Sequence, residues 1–303
     1  MSQTKRKIKN QVADSEPPVK RNPNSIPNPL SYGSLKIVLE HLEANKRLDF
    51  ARRCDSIRTA DKVVPLKMKV LAFKPMKTII NNKSYKVGET SEECLNTWIF
   101  EGRPVIQVKK LEIKSAKVTI RLPPDVKIHA QIIRIHRHVS RTIENLTQIL
   151  TGSSFPLKTI ETFYSKRIEE KLAHSRVQDI GKLVIHDLFD RFPINTKWDR
   201  FPQRTHFGTE GILNGNVLSI MKSWKVGKQE IGTWFSVGYS SHLHVSWVME
   251  TLEEKLKVEE RNRAILFPLD AARDIQVYYE KVDHTEYDSY GASYILNMKV
   301  VGK

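Results

Sequence analysis

The stretch Asn28–Lys67, NPLSYGSLKIVLEHLEANKRLDFARRCDSIRTADKVVPLK, reads as two short helices. Together they carry more apolar surface than so small a pair can bury against itself. Ser31 and Ser34 offer hydroxyls for an N-cap. Behind them Leu35, Val38, Leu39 and Leu42 fall on one stripe at helical spacing, with Ile37 and Ala44 on the other side. Asn45 is the expected stop. A second helix is expected over about Lys46–Ala60, with Leu48 and Ala51 on one side and Phe50, Cys54 and Ile57 on another. Pro65 closes the unit. Fully burying a Leu, Val or Phe side chain stabilises by about 1.5–3 kcal/mol, and a lone helix pair under about 40 residues rarely folds without help. Two apolar faces on one helix call for two neighbours. One is the rest of the chain. The second is either more of the same chain or a separate protein, and the residues alone leave both open.

On the N-terminal side, residues 1–27 hold Pro17, Pro18, Pro23 and Pro27 among polar residues, with no apolar period. This composition predicts a disordered basic tail. Lys5, Arg6, Lys7 and Lys9 form one basic cluster, and Lys20 and Arg21 a second. That is the spacing of a two-part nuclear import signal, and equally that of a solvated basic tail. The segment MSQTKRKIKNQVADSEPP lacks a signal-peptide apolar region.

On the C-terminal side the pattern turns to period two, the mark of half-buried strands. KMKVLAF, VIQV and LEI within 105–113, and VTIRL at 118–122 are strand candidates. A weak repeat follows: IIRI begins at Ile132, TIET at Thr159, LVIH at Leu183 and HFGT at His206, with steps of 27, 24 and 23 by subtraction. Helix-like or irregular segments such as RTIENLTQIL and SKRIEEKLAH lie between. Strand–helix units of that length resemble a degenerate leucine-rich-type solenoid. Toward the C-terminus, 212–224 reads as a helix, 229–240 as a strand and 242–258 as a helix. AILFPL, DIQVYYEKV and SYILNMKVV read as closing strands.

The chain has 303 residues and a formal net charge of +16, from 50 Lys+Arg against 34 Asp+Glu. This length fits one large or two small domains. The charge favours acidic partners or nucleic acid, although the lysines are scattered along the sequence. No run nears the roughly 18 uninterrupted apolar residues of a membrane span. Two cysteines, Cys54 and Cys94, make neither a disulfide framework nor a cysteine zinc site, and fit a reducing intracellular compartment.

Motifs for chemistry are missing. There is no phosphate-binding GxxxxGK[ST], no GxGxxG, no GxSxG and no HExxH. His136/His138 and His242/His244 are same-face pairs if extended, but no third ligand stands at a recognisable spacing. Cys54 lies on an apolar helix face and reads as an inert thiol. No catalytic residue, metal or cofactor is expected. The best local candidate for stacking nucleobases is KWDRFPQRTHF, with Trp198, Phe201 and His206 among Lys197, Arg200 and Arg204. Aromatics plugging a core is the favoured reading of it.

Several of these stretches share a likeness. PLSYGSLKIVLEHLEANKRLDFARRCDSIR resembles the opening of the nematode-expanded F-box C family, an F-box-like motif followed by a domain of unassigned function. Supporting stretches are PLKMKVLAF, SWKVGKQEIGTWFSVGY, AILFPLDAARDIQVYYEKV and YILNMKVVG. The chain departs from the family pattern at Gly33 and Asp55, where Pro is usual, and at Ile57, where F-boxes tend to carry Trp.

The resemblance implies an α+β chain. Residues 28–64 would be an F-box-like unit of two or three short helices, and 65–303 a mixed β/α target-recognition domain. The function implied is substrate recruitment to a cullin-RING (SCF-type) ubiquitin ligase in the cytoplasm or nucleus. Leu30, Leu35, Val38, Leu39, Leu42, Leu48 and Cys54 would face a Skp-type linker subunit or support the helices that do. The alternative is a basic nucleic-acid-binding or chromatin-associated protein.

Overall fold

The computed structural model describes residues 30–86, 92–103, 105–114, 120, 122–136, 139–163, 179–186, 198, 201–208, 214–227, 229–257, 260–261, 264–282 and 292–303. The basic tail, including Lys5, Arg6, Lys7, Lys9, Lys20 and Arg21, lies outside them, as do His138, Lys197, Arg200 and all of SKRIEEKLAH.

The chain is mixed α/β. Three helices come first: α1 (Tyr32–His41), α2 (Ala44–Arg53) and α3 (Asp55–Val63). The Ser31 hydroxyl caps α1 by accepting from the Ser34 amide at 3.2 Å, which satisfies one orphan N–H of the first turn. The expected second helix is two helices. Cys54 takes an extended conformation (φ −143°, ψ 113°) and separates α2 from α3. Asn45 does not stop α1, which ends at His41 with Leu42 as its C-cap. Asn45 sits in the first turn of α2 and reaches across to the sheet instead.

Thirteen strands among the described residues form one sheet: β1 (Leu66–Lys74), β2 (Lys77–Ile80), β3 (Lys83–Lys86), β4 (Val105–Ile113), β5 (Lys127–Ile135), β6 (Thr159–Phe163), β7 (Leu183–His186), β8 (Arg204–Phe207), β9 (Trp234–Tyr239), β10 (Glu260–Arg261), β11 (Ala264–Pro268), β12 (Arg273–Lys281) and β13 (Tyr294–Gly302). Their order is β10-β11-β12-β13-β9-β8-β7-β6-β5-β4-β1-β2-β3. The centre, from β1 through β4, β5, β6, β7 and β8 to β9, is parallel throughout. Antiparallel strands extend it at both ends. Parallel neighbours need long crossovers. Those described include α4 (Glu92–Phe100), α5 (Val139–Thr147) and α6 (Asn214–Gly227). A seventh helix, α7 (His242–Leu256), packs on β9, β11 and β13.

The strands expected at 132, 159, 183 and 206 are β5 to β8, adjacent and in sequence order. Ile120 and Leu122, placed in a strand by their alternation, lie in no regular element and pack at the edge of the core. Their spacing reflects two contacts with one cluster and no ladder.

Three neighbouring strands share a bend. Burial along β4 runs exposed, buried, exposed, buried, then skips a beat at Lys109–Lys110 before Leu111 and Ile113. Pairing is interrupted at Lys69, Lys109 and Gln131. A one-residue phase change lets both halves of each strand point into the same core, because alternate side chains otherwise keep to fixed faces. At β1 the free amides of Lys69 and Val70 donate to the Asn81 side-chain oxygen at 2.8 and 3.0 Å. Asn81 and Asn82 form the tight β2–β3 turn with φ of 45° and 72°, the left-handed region that asparagine tolerates.

A single large core contains residues of β1, β4 to β9 and β11 to β13, and also Ala44 and Leu48 of α2. A satellite of Leu39, Ala60 and Val64, flanked by Leu35, Leu42 and Ile57, joins α1 to α3.

Candidate functional site

The helical unit divides its apolar residues between two uses. Leu39 is 1% exposed and Leu48 2%. Leu39 fills the satellite core and Leu48 the main core, so neither offers a face to another protein. Leu35 and Leu42 lean on the satellite, and Cys54 is half-buried at the α2–α3 break. Of the seven residues expected at a linker interface, Leu30 and Val38 stand exposed. The expected single stripe on α1 is therefore split: most of it holds α1 on α3. Tyr32, Ile37, Phe50 and Val63 join Leu30 and Val38 as large apolar side chains on this unit that each keep at least 42% of their surface in solvent. Periodicity had set Ile37 and Phe50 on secondary faces, and gave no signal for Tyr32 and Val63.

A buried ionic knot fastens this unit to the sheet. Asp61 on α3 is fully buried. Its carboxylate accepts from Arg47 Nε of α2 at 2.6 Å and from Arg103 Nη2, just after α4. Further guanidinium hydrogens go to backbone carbonyls: Arg47 to Asp61 (3.1 Å), Val64 (2.9 Å) and Pro65 (2.8 Å), and Arg103 to Ile99 (3.2 Å) and Asp61 (2.8 Å). Burial pushes the Arg103 guanidinium below its ordinary value, while Asp61 opposes that shift. Buried charge survives only when paired and hydrogen-bonded. Further contacts run from α2 to the β2–β3 hairpin. Asn45 Nδ2 donates to the Ile80 carbonyl at 3.0 Å, the Tyr85 hydroxyl donates to Asn45 Oδ1 at 3.1 Å, and Lys83 Nζ meets Asp49 at 2.6 Å. Burial, helped by Asp49 and Glu43, pushes the Tyr85 phenol up to about 12, so it remains a donor at neutral pH.

On the sheet, one row of side chains crosses the parallel ladder in register: Glu112, Arg134, Glu161, Val184, His206 and Ser236. The flanking positions Leu111, Ile133, Ile160, Leu183 and Phe207 point to the other face and are buried in the core. Glu161 meets Arg134 Nε at 2.5 Å, Lys110 Nζ at 2.8 Å and His186 Nε2 at 3.4 Å, and Glu112 meets Lys114 at 2.9 Å. Burial pushes the Glu161 carboxyl up, but His186, Lys110 and Arg134 outweigh it and hold the group at about 2. His206, bonded to Ser236 Oγ at 2.8 Å, is held down to about 3 by burial and is neutral. His136 stacks on Phe163 at 4.4 Å and is also pushed below its ordinary value, first by burial and then by Lys114.

Among the described residues, no three His, Cys, Asp or Glu side chains gather as metal ligands. His242 and His244 lie on α7, two residues apart and so on different faces. His242 packs against Tyr279 and Tyr294. Trp198 and Phe201 are buried in an aromatic cluster with Phe207 and Phe235. They plug the core and offer no stacking surface for a base. A hollow of about 750 Å³ lies beside Thr147, Leu150, Gly152, Phe155, Pro156 and Asp179. Among the described residues of that lining, Asp179 is the one ionisable group. No helix among the described residues is long and apolar enough to cross a membrane.

The family model described as a domain of unknown function (DUF3557) matches residues 89–241. That span holds α4 to α6 and β4 to β9, the parallel ladder less its first strand β1, without the antiparallel ends and without α1 to α3. No curated protein and no solved structure matches the chain.

Proposed function

The chain belongs to the DUF3557 family, and from that premise we propose that it is a substrate-recognition adaptor of an SCF-type cullin-RING ubiquitin ligase, in the cytoplasm or nucleus. Residues 28–64 act as the F-box-like unit that docks on a Skp-type linker subunit. Residues 65–303 hold the target, with β5 to β8 as a degenerate leucine-rich-type solenoid. Ubiquitin transfer takes place on other subunits, so this chain needs no chemistry of its own.

The observation that carries the reading is the surplus apolar surface on α1 to α3. Leu30, Tyr32, Ile37, Val38, Phe50 and Val63 are exposed within a segment of 34 residues, 30–63, although the same segment fills two cores. Apolar helix faces lying in a partner's groove are a recurring recognition mode. The resemblance of Pro29–Arg58 to the F-box C opening names the partner class. An adaptor must also hold its two ends in fixed relation, and the Arg47–Asp61–Arg103 knot supplies that rigidity.

The test is capture of a purified Skp-type linker subunit by the full chain at moderate salt. Ile37→Asp with Val38→Asp should reduce capture at least tenfold and leave the thermal unfolding midpoint within a few degrees. Leu39→Asp should instead melt the α1–α3 contact. Undiminished capture by the Ile37/Val38 variant, or no capture by the native chain, would refute the docking role. Affinity for DNA that falls steeply with salt, in place of capture, would favour the nucleic-acid reading that the net charge of +16 raises.

A further inference from the structure

Four lysines stand in one row, three on the adjacent strands β3, β2 and β1 and the fourth, Lys114, just past the end of β4. On the antiparallel side, Lys86 of β3 is directly opposite Lys77 of β2, and Lys77 is directly opposite Lys74 of β1. On the parallel side, Phe73 pairs with Ile113 and the Lys114 amide donates to the Phe73 carbonyl, which sets Lys114 beside Lys74. At about 4.8 Å per strand the row spans about 14 Å. It continues into His136, whose amide bonds the Ile113 carbonyl, and then into Phe163 and His186.

Like charges directly opposite on a sheet destabilise it. Lysine on an edge strand has an ordinary use in preventing edge-to-edge pairing, and β3 is the sheet's edge. That accounts for Lys86. It does not account for Lys77, Lys74 and Lys114, which lie one to three strands inward. Among the described residues no ion pair holds Lys74, Lys77 or Lys86, while Glu112 is already engaged by Lys114 and Arg134. The repulsion shows in Lys74, whose ammonium is pushed below its ordinary value first by Lys114, then by burial and Lys77, with Glu112 opposing the shift. Beside the row, the His136 Nε2 is buried without a hydrogen-bond partner.

We propose that the Lys86–Lys77–Lys74–Lys114 row is a docking surface for an acidic, carboxylate-rich peptide segment of a partner protein. The assignment deepens the adaptor reading and rests on it only in taking that partner to be the ligase target. Charge complementarity selects an anion. Two observations favour a peptide over nucleic acid. The row is only four charges long, and the exposed aromatic rings Tyr32, Phe50 and Trp247 lie on helices, while the rings that continue the row, His136, Phe163 and His186, are already packed on one another, so a nucleobase would have to compete with those contacts.

The test uses the full chain, without any linker subunit, and fluorescence anisotropy of three labelled probes: hexaglutamate, hexaglutamine and a 12-nucleotide oligothymidylate. Hexaglutamate should bind at least tenfold more tightly than hexaglutamine. Lys74→Glu with Lys77→Glu should lower that affinity at least tenfold. Lys67→Glu with Lys69→Glu, exposed positions on β1 away from the row, should lower it no more than twofold. The milder Lys74→Gln with Lys77→Gln should also lose binding, and its unfolding midpoint should equal or exceed that of the native chain because the opposed charges are gone. The proposal is overturned by equal losses in the two Glu variants, by tighter row-dependent binding of the oligonucleotide, or by equal affinity for hexaglutamate and hexaglutamine. Because no linker is present, failure here leaves linker capture untouched, and failure of linker capture leaves this result standing.

Discussion

Replacing Asp61 by Asn removes the one anion between two buried cations. Asp61 is fully buried, Arg47 is 1% exposed and Arg103 4%. Both guanidiniums keep their charge, and after the substitution neither has a carboxylate. Removing one partner of a buried pair typically costs about 3–5 kcal/mol, because the remaining charge is left uncompensated. The carbonyls of Asp61, Val64, Pro65 and Ile99 continue to accept hydrogen bonds, so the loss should sit near the lower end, about 3 kcal/mol. A domain of this kind is stable by about 5–15 kcal/mol in all, so the fraction removed is large. Urea unfolding followed by tryptophan fluorescence and circular dichroism measures it. Arg47→Met with Asp61→Leu and Arg103→Met should recover only part of the loss, since apolar groups remove the buried charge at little cost but leave the carbonyls of Asp61, Val64, Pro65 and Ile99 without these donors. A loss below about 1 kcal/mol for Asp61→Asn would refute the reasoning, for it would mean that water reaches the carboxylate in solution.

The cluster around Glu161 makes a pH prediction. A carboxyl held at about 2 in the folded chain, against 4.5 ordinarily, stabilises the fold above the unfolded value and loses that contribution as pH falls from about 4.5 to 2. The full effect is of order 3 kcal/mol. Glu161→Gln should therefore flatten the acid limb of stability between those values, read as urea midpoints at pH 7, 4.5 and 3, and an unchanged limb would show the carboxylate unpaired. A steric prediction concerns Gly238. A Cβ there would stand 2.0 Å from the Gly208 carbonyl oxygen and 2.7 Å from Ala292 Cβ. Gly238→Ala should cost at least about 1–3 kcal/mol by overpacking, and a midpoint equal to the native chain's would show that the two glycines do not meet.

How much of this was legible depends on the kind of signal. Period two exposed β1, β4 and the closing strands because their solvent-facing residues, such as Lys67 and Gln107, alternate with core residues. The four strands of the weak repeat were legible through spacing, since each parallel step needs a crossover of similar length. The α2–α3 break was not. Cys54 is neither Gly nor Pro, and the turn there is imposed by packing α3 back on α1 through Ala60 and Val64. The exposed apolar set was only partly legible, because periodicity names faces and does not say which face is covered. Leu39 and Ile37 are equally apolar neighbours, and only the position of α3 decides between them.

The polar features were hidden for a different reason. Arg47, Asp61 and Arg103 are ordinary charged residues 14 and 42 positions apart, and nothing local marks them as buried. The lysine row is likewise assembled from three separate strand pairings. Both features bear on the same question, how the two ends of the proposed adaptor are held. α1 and α3 share a core of only three fully buried residues, too small to stand alone. α2 puts Ala44 and Leu48 into the main core, Asn45 and Asp49 onto the β2–β3 hairpin, and Arg47 into the knot with Asp61. The hairpin that receives α2 is the one that carries Lys77 and Lys86 on its outer row. A linker bound to the exposed residues of α1 to α3 and a peptide bound on the lysine row would therefore be joined through α2, which contacts both the main core and the β2–β3 hairpin.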